Sequence, residues 1–167
     1  MEELMRAAFK VAERWLYNLT KWKAEIEVLH ENLRDHSSKV TPSYGFCGGG
    51  GGVGDGTSSR AADLVASEDK LPRLESKVRM LDAAIDSLGD EQQQLVNLKY
   101  IKSWLNQNCW EHMRLSESEF YRERRKAVEK IAEIMLNSDV FIAESESRME
   151  KDATRVQKEN DRNTTVI

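Results

Sequence analysis

The chain has 167 residues and two prolines; 32% of its residues are charged, 7% are aromatic, and its formal net charge is −4. That length supports one moderate core or two small ones, and so charged a chain, with so few turn-formers and aromatics, reads as helical rather than strand-rich. The acidic balance excludes nucleic-acid binding by bulk charge, so any such activity has to come from a local basic patch.

Residues 1–36 read as one amphipathic helix. Ala8, Val11, Trp15, Leu19, Trp22, Ile26, Leu29 and Leu33 recur at spacings of three and four, which puts them on one stripe. Trp15 and Trp22 are then core anchors. Charges run throughout "MEELMRAAFKVAERW", unlike the layout of a secretory leader. No apolar run reaches the roughly 18 residues that span a bilayer. The expected partners exclude a membrane, and the expected location is the cytoplasm. Cys47 and Cys109 form no CxxC pair and read as a linker thiol and a buried small hydrophobe in a reducing compartment.

Residues 37–58 form a glycine- and serine-rich segment, "GFCGGGGGVGDGTSS" holding eight of the nine glycines. A phosphate-binding loop would need GxxxxGK[ST] after a strand. Counted from Gly51, Gly56 is the second glycine, but Thr57 stands where the lysine belongs, and no strand precedes it. The run reads as a flexible linker spanning roughly 25 Å on average.

Residues 59–89 carry the second apolar stripe. Ser58 or Ser59 can cap a helix to about residue 67, and Pro72 then allows a restart. Leu71, Leu74, Val78, Leu81, Ile85 and Leu88 follow a 3-4 spacing up to Gly89. That is the seam of a helical hairpin or coiled-coil brace. The first helix folds back on it, or two chains pair as a homodimer.

Residues 90–137 change character. Asp90 with Gln93 signals a helix start, giving a helix to about Lys102. A short helix follows from Trp104 to about His112, and a turn from Met113 to Leu115. Ser116 with Glu119 is a capping box opening a third helix to about Asn137. Phe120, Ala127, Ile131 and Ile134 face inward on it, and Glu117, Ser118, Tyr121, Arg122 and Arg125 face out. Between residues 99 and 130, eight basic residues stand against five acidic ones, which is the required local patch. The plan is that of a helix-turn-helix, whose second helix enters the major groove of double-stranded DNA. Its N-terminal residues would reach base edges while arginines and lysines neutralise phosphates: Ser118, Tyr121, Arg122 and Arg125 would face the groove, with Lys99, Lys102 and Lys126 near phosphates. Ser116, the cap itself, sits where that helix would meet the DNA.

Residues 138–167 read as a polar tail, a weakly held helix at most, frayed beyond about residue 150. His30, His36 and His112 are scattered, and no acid pair is placed to shift a pKa. No catalytic residue, metal or cofactor is expected, and the chain does not read as an enzyme.

The stretches "LKYIK" and "LSESEFYRERRKAVEKIAEI" resemble the ArpU/RinA-type late transcriptional regulators of phages and prophages, whose C-terminal part is similar to sigma factor region 4. "KVTPSYG" at 39–45 and the order of long helix, loop, long helix and helix-turn-helix fit the same pattern. The resemblance implies binding at a phage late promoter in a bacterial host and activation of the host RNA polymerase there. Such motifs hold a small residue where the two helices cross and a glycine in the turn. In an ungapped register this chain has Trp110 and Arg114 there. A tryptophan splays a close crossing, so either the apolar register is offset by a residue or the docking angle is unusual. Two alternatives remain: a small terminase-like DNA-packaging protein with oligomerising helices, and a helical adaptor with no specific DNA affinity.

Overall fold

A computed structural model of the chain describes residues 2–38 and 56–164, with the side chains of residues 2–35 and 65–156. The fold is all-α: α1 (Glu2–Ser38), α2 (Gly56–Asp86), α3 (Asp90–Val96) continuing into a π-helical turn at Asn97–Ile101, α4 (Asn106–Met113), α5 (Glu117–Met135) and α6 (Asp139–Thr164). Of the expected linker at 37–58, residues 39–55, Cys47 included, lie outside the described residues, and its two ends are helical. Among the described residues, no helix is long and apolar enough to cross a membrane.

The chain divides into two compact units, Thr20–Arg79 and Met1–Leu19 with Met80–Ile167. In the first, Leu29 of α1 packs with Leu71 and Leu74 of α2, and Trp22, Ile26 and Leu33 close around them. The two apolar stripes thus meet within one chain, because each would otherwise leave its leucines in water. Polar pairs flank the seam: His30 Nε2 lies 2.9 Å from Glu75 Oε1, Lys70 pairs with Glu25, and the Lys77 ammonium sits 5.5 Å from the Trp22 ring.

The expected restart at Pro72 is absent, since α2 runs straight through it. Proline deprives the carbonyl four residues back, that of Glu68, of its partner. Glu68 and Pro72 are both exposed, so water can take that carbonyl and the helix survives. Ser58 and Ser59, expected as caps, lie inside α2, which opens at Gly56.

The second unit is built around α5. Phe120, Ala127, Val128, Ile131, Ala132 and Met135 are buried along one side of it, while Ile134, expected to be inward, is half-buried. Phe120 joins Leu95, Leu98 and Cys109 in a cluster capped by Trp104, Trp110, Met113 and Leu115. The π turn serves this packing. Lys102 N–H donates to Asn97 O at 2.8 Å, and the wider turn lets Leu98 and Tyr100 both bury. Leu98 enters the cluster, and Tyr100 meets Tyr17 of α1 edge-on at 4.8 Å. The start of α3 differs from expectation: Gly89 is the N-cap, without a side-chain hydrogen bond. Gln93 Nε2 instead reaches back to the carbonyls of Asp86 and Leu88, at 3.0 and 3.1 Å.

The tail needs the largest correction. Residues 139–164 form α6, and Phe141 and Ser145 are fully buried. Trp15 of α1 meets the Phe141 ring edge-on at 5.3 Å. Arg14 and the Trp15 indole N–H both donate to Glu144 Oε2, at 2.8 and 2.9 Å, and Lys10 donates to Asp152 at 2.7 Å. Rising numbers on α1 meet falling numbers on α6, so the helices run antiparallel. One aromatic anchor with charged partners on both flanks holds a helix that has little apolar stripe of its own.

Candidate nucleic-acid interface

The interface expected from the sequence rests on α4, the turn after it and the first half of α5. Cys109 is the fully buried residue of α4. Burial pushes its thiol pKa up, with Lys99 acting the other way, as suits a packed, inert cysteine. Trp110, one place later, is only half-buried and leans on Phe120 and Tyr121, its ring centroid 5.9 and 6.3 Å from theirs. The small residue that α4 buries is therefore Cys109, one place before Trp110, and the tryptophan lies to the side.

Arg114 ends α4 in the left-handed region, with φ 56° and ψ 37°. Its N–H and that of Leu115 close the helix on the carbonyls of Glu111 and Trp110, at 3.2 and 2.9 Å. An L-residue with a Cβ pays for this conformation, and glycine does not. Arg114→Gly is expected to raise stability by about 1 kcal/mol, read as a higher denaturant midpoint at unchanged m-value. A destabilised variant would mean that the guanidinium holds the turn.

The turn leads into the capping box foreseen at Ser116. Glu119 N–H donates to Ser116 Oγ at 3.3 Å, and Ser116 N–H donates to Glu119 Oε2 at 3.0 Å. The Ser116 hydroxyl also donates to that carboxylate at 2.6 Å. These bonds, side chain first and backbone second, hold Glu119 below the usual carboxylate range. Ser116 is thus engaged in fixing the start of α5.

Along α5, Ser118, Tyr121, Arg122, Arg125 and Lys126 are all exposed. Positions 118, 121, 122 and 125 share one face, being three, four and seven residues apart. Each cation on this side has an acidic neighbour: Arg122 and Lys126 reach Glu123 at 3.5 and 2.9 Å, and Arg125 reaches Glu129 at 2.7 Å. Glu123 is held below the usual range chiefly by the Lys126 hydrogen bond. Exposed pairs of this kind contribute little to stability and exchange readily for another anion. The other two expected residues gather around Trp104: Lys99 Nζ donates to its carbonyl at 3.3 Å, and Lys102 Nζ lies 6.0 Å from its ring.

One member of the basic run points elsewhere. Arg124 turns inward, donating through Nε to the Tyr100 hydroxyl at 3.0 Å and through Nη2 to Glu13 of α1. Tyr100 O–H in turn donates to Glu13 at 3.0 Å. Four residues after Phe120, Arg124 belongs to the inward side by helical spacing, a signal masked by the charged run around it. Asn106, the first residue of α4, was also not among the expected residues; its Nδ2 donates to the Tyr121 hydroxyl at 3.0 Å. Nothing in the local pattern announces that contact, which is made between two helices.

The model of one protein family, described as protein of unknown function (DUF722), matches residues 16–133. The match covers more than half of the chain, from within α1 to near the end of α5, and α6 lies beyond it. No curated protein and no solved structure matches. The chain belongs to this family.

Proposed function

We propose that the chain binds double-stranded DNA through α4, its turn and α5, used as a helix-turn-helix, and activates late genes of a phage or prophage together with the host RNA polymerase in the bacterial cytoplasm. The observation that carries the DNA part is the division of labour on α5. Its inner side is committed to the chain's own core, and its capped N-terminal half presents Ser118, Tyr121, Arg122 and Arg125 outward. A polar and cationic face of this kind suits a groove between two phosphate rails. The carboxylates now beside its cations are weak competitors for phosphate. The promoter and polymerase parts rest on the resemblance to ArpU/RinA-type regulators.

The test is affinity capture of fragmented genomic DNA of the source on the purified chain, at physiological salt and with RNA polymerase present and absent. A sharp peak upstream of a block of phage structural genes is the expected result. A peak at a packaging start would replace this reading with the terminase-like one, and no enrichment in either condition would leave the helical adaptor. On the recovered site, Arg122→Ala and Arg125→Ala are each expected to weaken binding and to flatten the slope of log affinity against log salt by about 1. Unchanged slopes in both variants would show that this face of α5 does not meet phosphate.

A further inference from the structure

We infer that Asn106 is a positioning residue that turns the Tyr121 hydroxyl into an obligatory hydrogen-bond donor, aimed at an acceptor atom on a base edge. The inference deepens the DNA reading and rests on it. Tyr121 lies on the outward face of α5 and is 41% exposed. Its ring is held on two sides, by Phe120 at 5.5 Å and Trp110 at 6.3 Å. Its hydroxyl oxygen accepts from Asn106 Nδ2 at 3.0 Å. A phenol has one hydrogen and accepts chiefly in the plane of its ring. With one in-plane direction taken by the Asn106 amide, the hydrogen occupies the other, and the free side of the group can only donate.

The orientation of the amide follows from what surrounds it. Asn106 Oδ1 is buried without a hydrogen-bond partner. Turning the amide over would bury the NH₂ group there instead, and an unpaired buried donor is tolerated less well than an unpaired acceptor. Asn106 thus keeps an orphaned oxygen while spending its donor on Tyr121. A residue present only to start α4 would not need that arrangement, since its unpartnered side-chain oxygen caps no backbone N–H of its own helix.

In the major groove, a fixed donor is matched by guanine O6 or N7, adenine N7 and thymine O4, and is mismatched by the cytosine amino group. The bound site should therefore exclude cytosine at one position. Asn106→Asp is the informative variant. An aspartate at the start of a helix is favourable for the fold. As an acceptor it would draw the Tyr121 hydrogen to itself, leaving the phenol oxygen to accept and reversing the preference toward cytosine.

The experiment uses the full chain in two arms. In the first, without DNA, isotope label at the phenol carbon reports each tyrosine, and the Tyr121 signal is identified by its loss in Tyr121→Phe. It should move in Asn106→Ala while the Tyr100 signal stays in place, which also shows that the variant is folded. An unmoved Tyr121 signal would overturn the inference whatever the chain binds. In the second arm, a random-sequence duplex library is selected with the wild type, Asn106→Ala, Asn106→Asp and Tyr121→Phe. The expected result is a loss of discrimination of roughly 5- to 100-fold at one shared position in Asn106→Ala and Tyr121→Phe. Asn106→Ala combined with Tyr121→Phe, selected alongside, should lose no more than about twofold beyond Tyr121→Phe, and Asn106→Asp should admit cytosine. Equal weakening on all sequences would overturn it in favour of a phosphate contact. If the Tyr121 signal moves but the wild type enriches no duplex, the DNA reading itself fails and takes the inference with it.

Discussion

Phe120→Ala is expected to destabilise the unit that carries α5 by about 3–5 kcal/mol, lowering its thermal midpoint by roughly 10 °C or more. The ring is fully buried among Leu95, Leu98 and Cys109, with the Trp110 ring in a T-shaped contact at 5.9 Å. Truncation removes that contact area from three elements at once, and the π turn and the capped start of α5 leave the site little freedom to collapse. Phe120→Leu keeps most of the volume and should cost less than about 1.5 kcal/mol. The neighbouring Tyr121→Ala provides the contrast, because the exposed phenol is bound to the fold by one hydrogen bond and ring contacts. It should cost about 1 kcal/mol or less and, under the proposed function, weaken DNA binding more than Phe120→Leu does. Denaturant unfolding of the four proteins checks this. A Phe120→Ala loss below 1 kcal/mol would mean that the cluster does not hold α5 in place.

That contrast also shows how far the sequence could be read. The inner face of α5 and its start were legible because both are local: apolar residues at helical spacing, and a serine three residues before a glutamate. The two apolar stripes of the first unit were legible for the same reason, but not whether they meet within one chain or between two. What escaped is held across long separations. Phe141 would be an isolated aromatic in a polar tail were it not seated on Trp15, and Glu144 and Asp152 gain their meaning from Arg14, Trp15 and Lys10. The break expected at Pro72 does not occur because the cost of a proline depends on whether the stranded carbonyl faces water, which a sequence does not state. In the candidate interface, the outward residues were foreseen, but the Asn106 amide that orders Tyr121 and the partners that withdraw Arg124 belong to other helices.

Arg124 provides the other large effect. Its guanidinium spans Tyr100 and Glu13, tying α5 to the π turn and to α1, and the side chains of Arg124 and Glu13 are 21% and 24% exposed. Burial alone would lower the Arg124 pKa, yet the bonds to Tyr100 and Glu13 raise it above its ordinary value. Removing one partner strands the other in a largely desolvated place. A buried pair broken in this way costs about 3–5 kcal/mol, and the residual exposure here brings Glu13→Ala and Arg124→Ala to roughly 2–3 kcal/mol each. Replacing both, as Glu13→Gln with Arg124→Met, should recover much of that loss, since no net charge is then left behind. Glu13→Gln and Arg124→Met measured singly close the cycle, and a double variant at the sum of those two losses would mean that the pair is not coupled. Alkaline titration tests the same knot independently. Tyr100 is raised above the ordinary 10.0, chiefly by burial and against the pull of Arg124, so the folded state holds the phenol neutral where the unfolded chain ionises it. The stability this contributes is fully present below pH 10 and is lost as pH rises beyond it, at up to about 1.4 kcal/mol per pH unit. In Tyr100→Phe that slope should flatten, leaving the smaller share of Tyr17, which burial raises as well. An unchanged slope would place the phenol in water and unmake the three-way contact between α1, the π turn and α5.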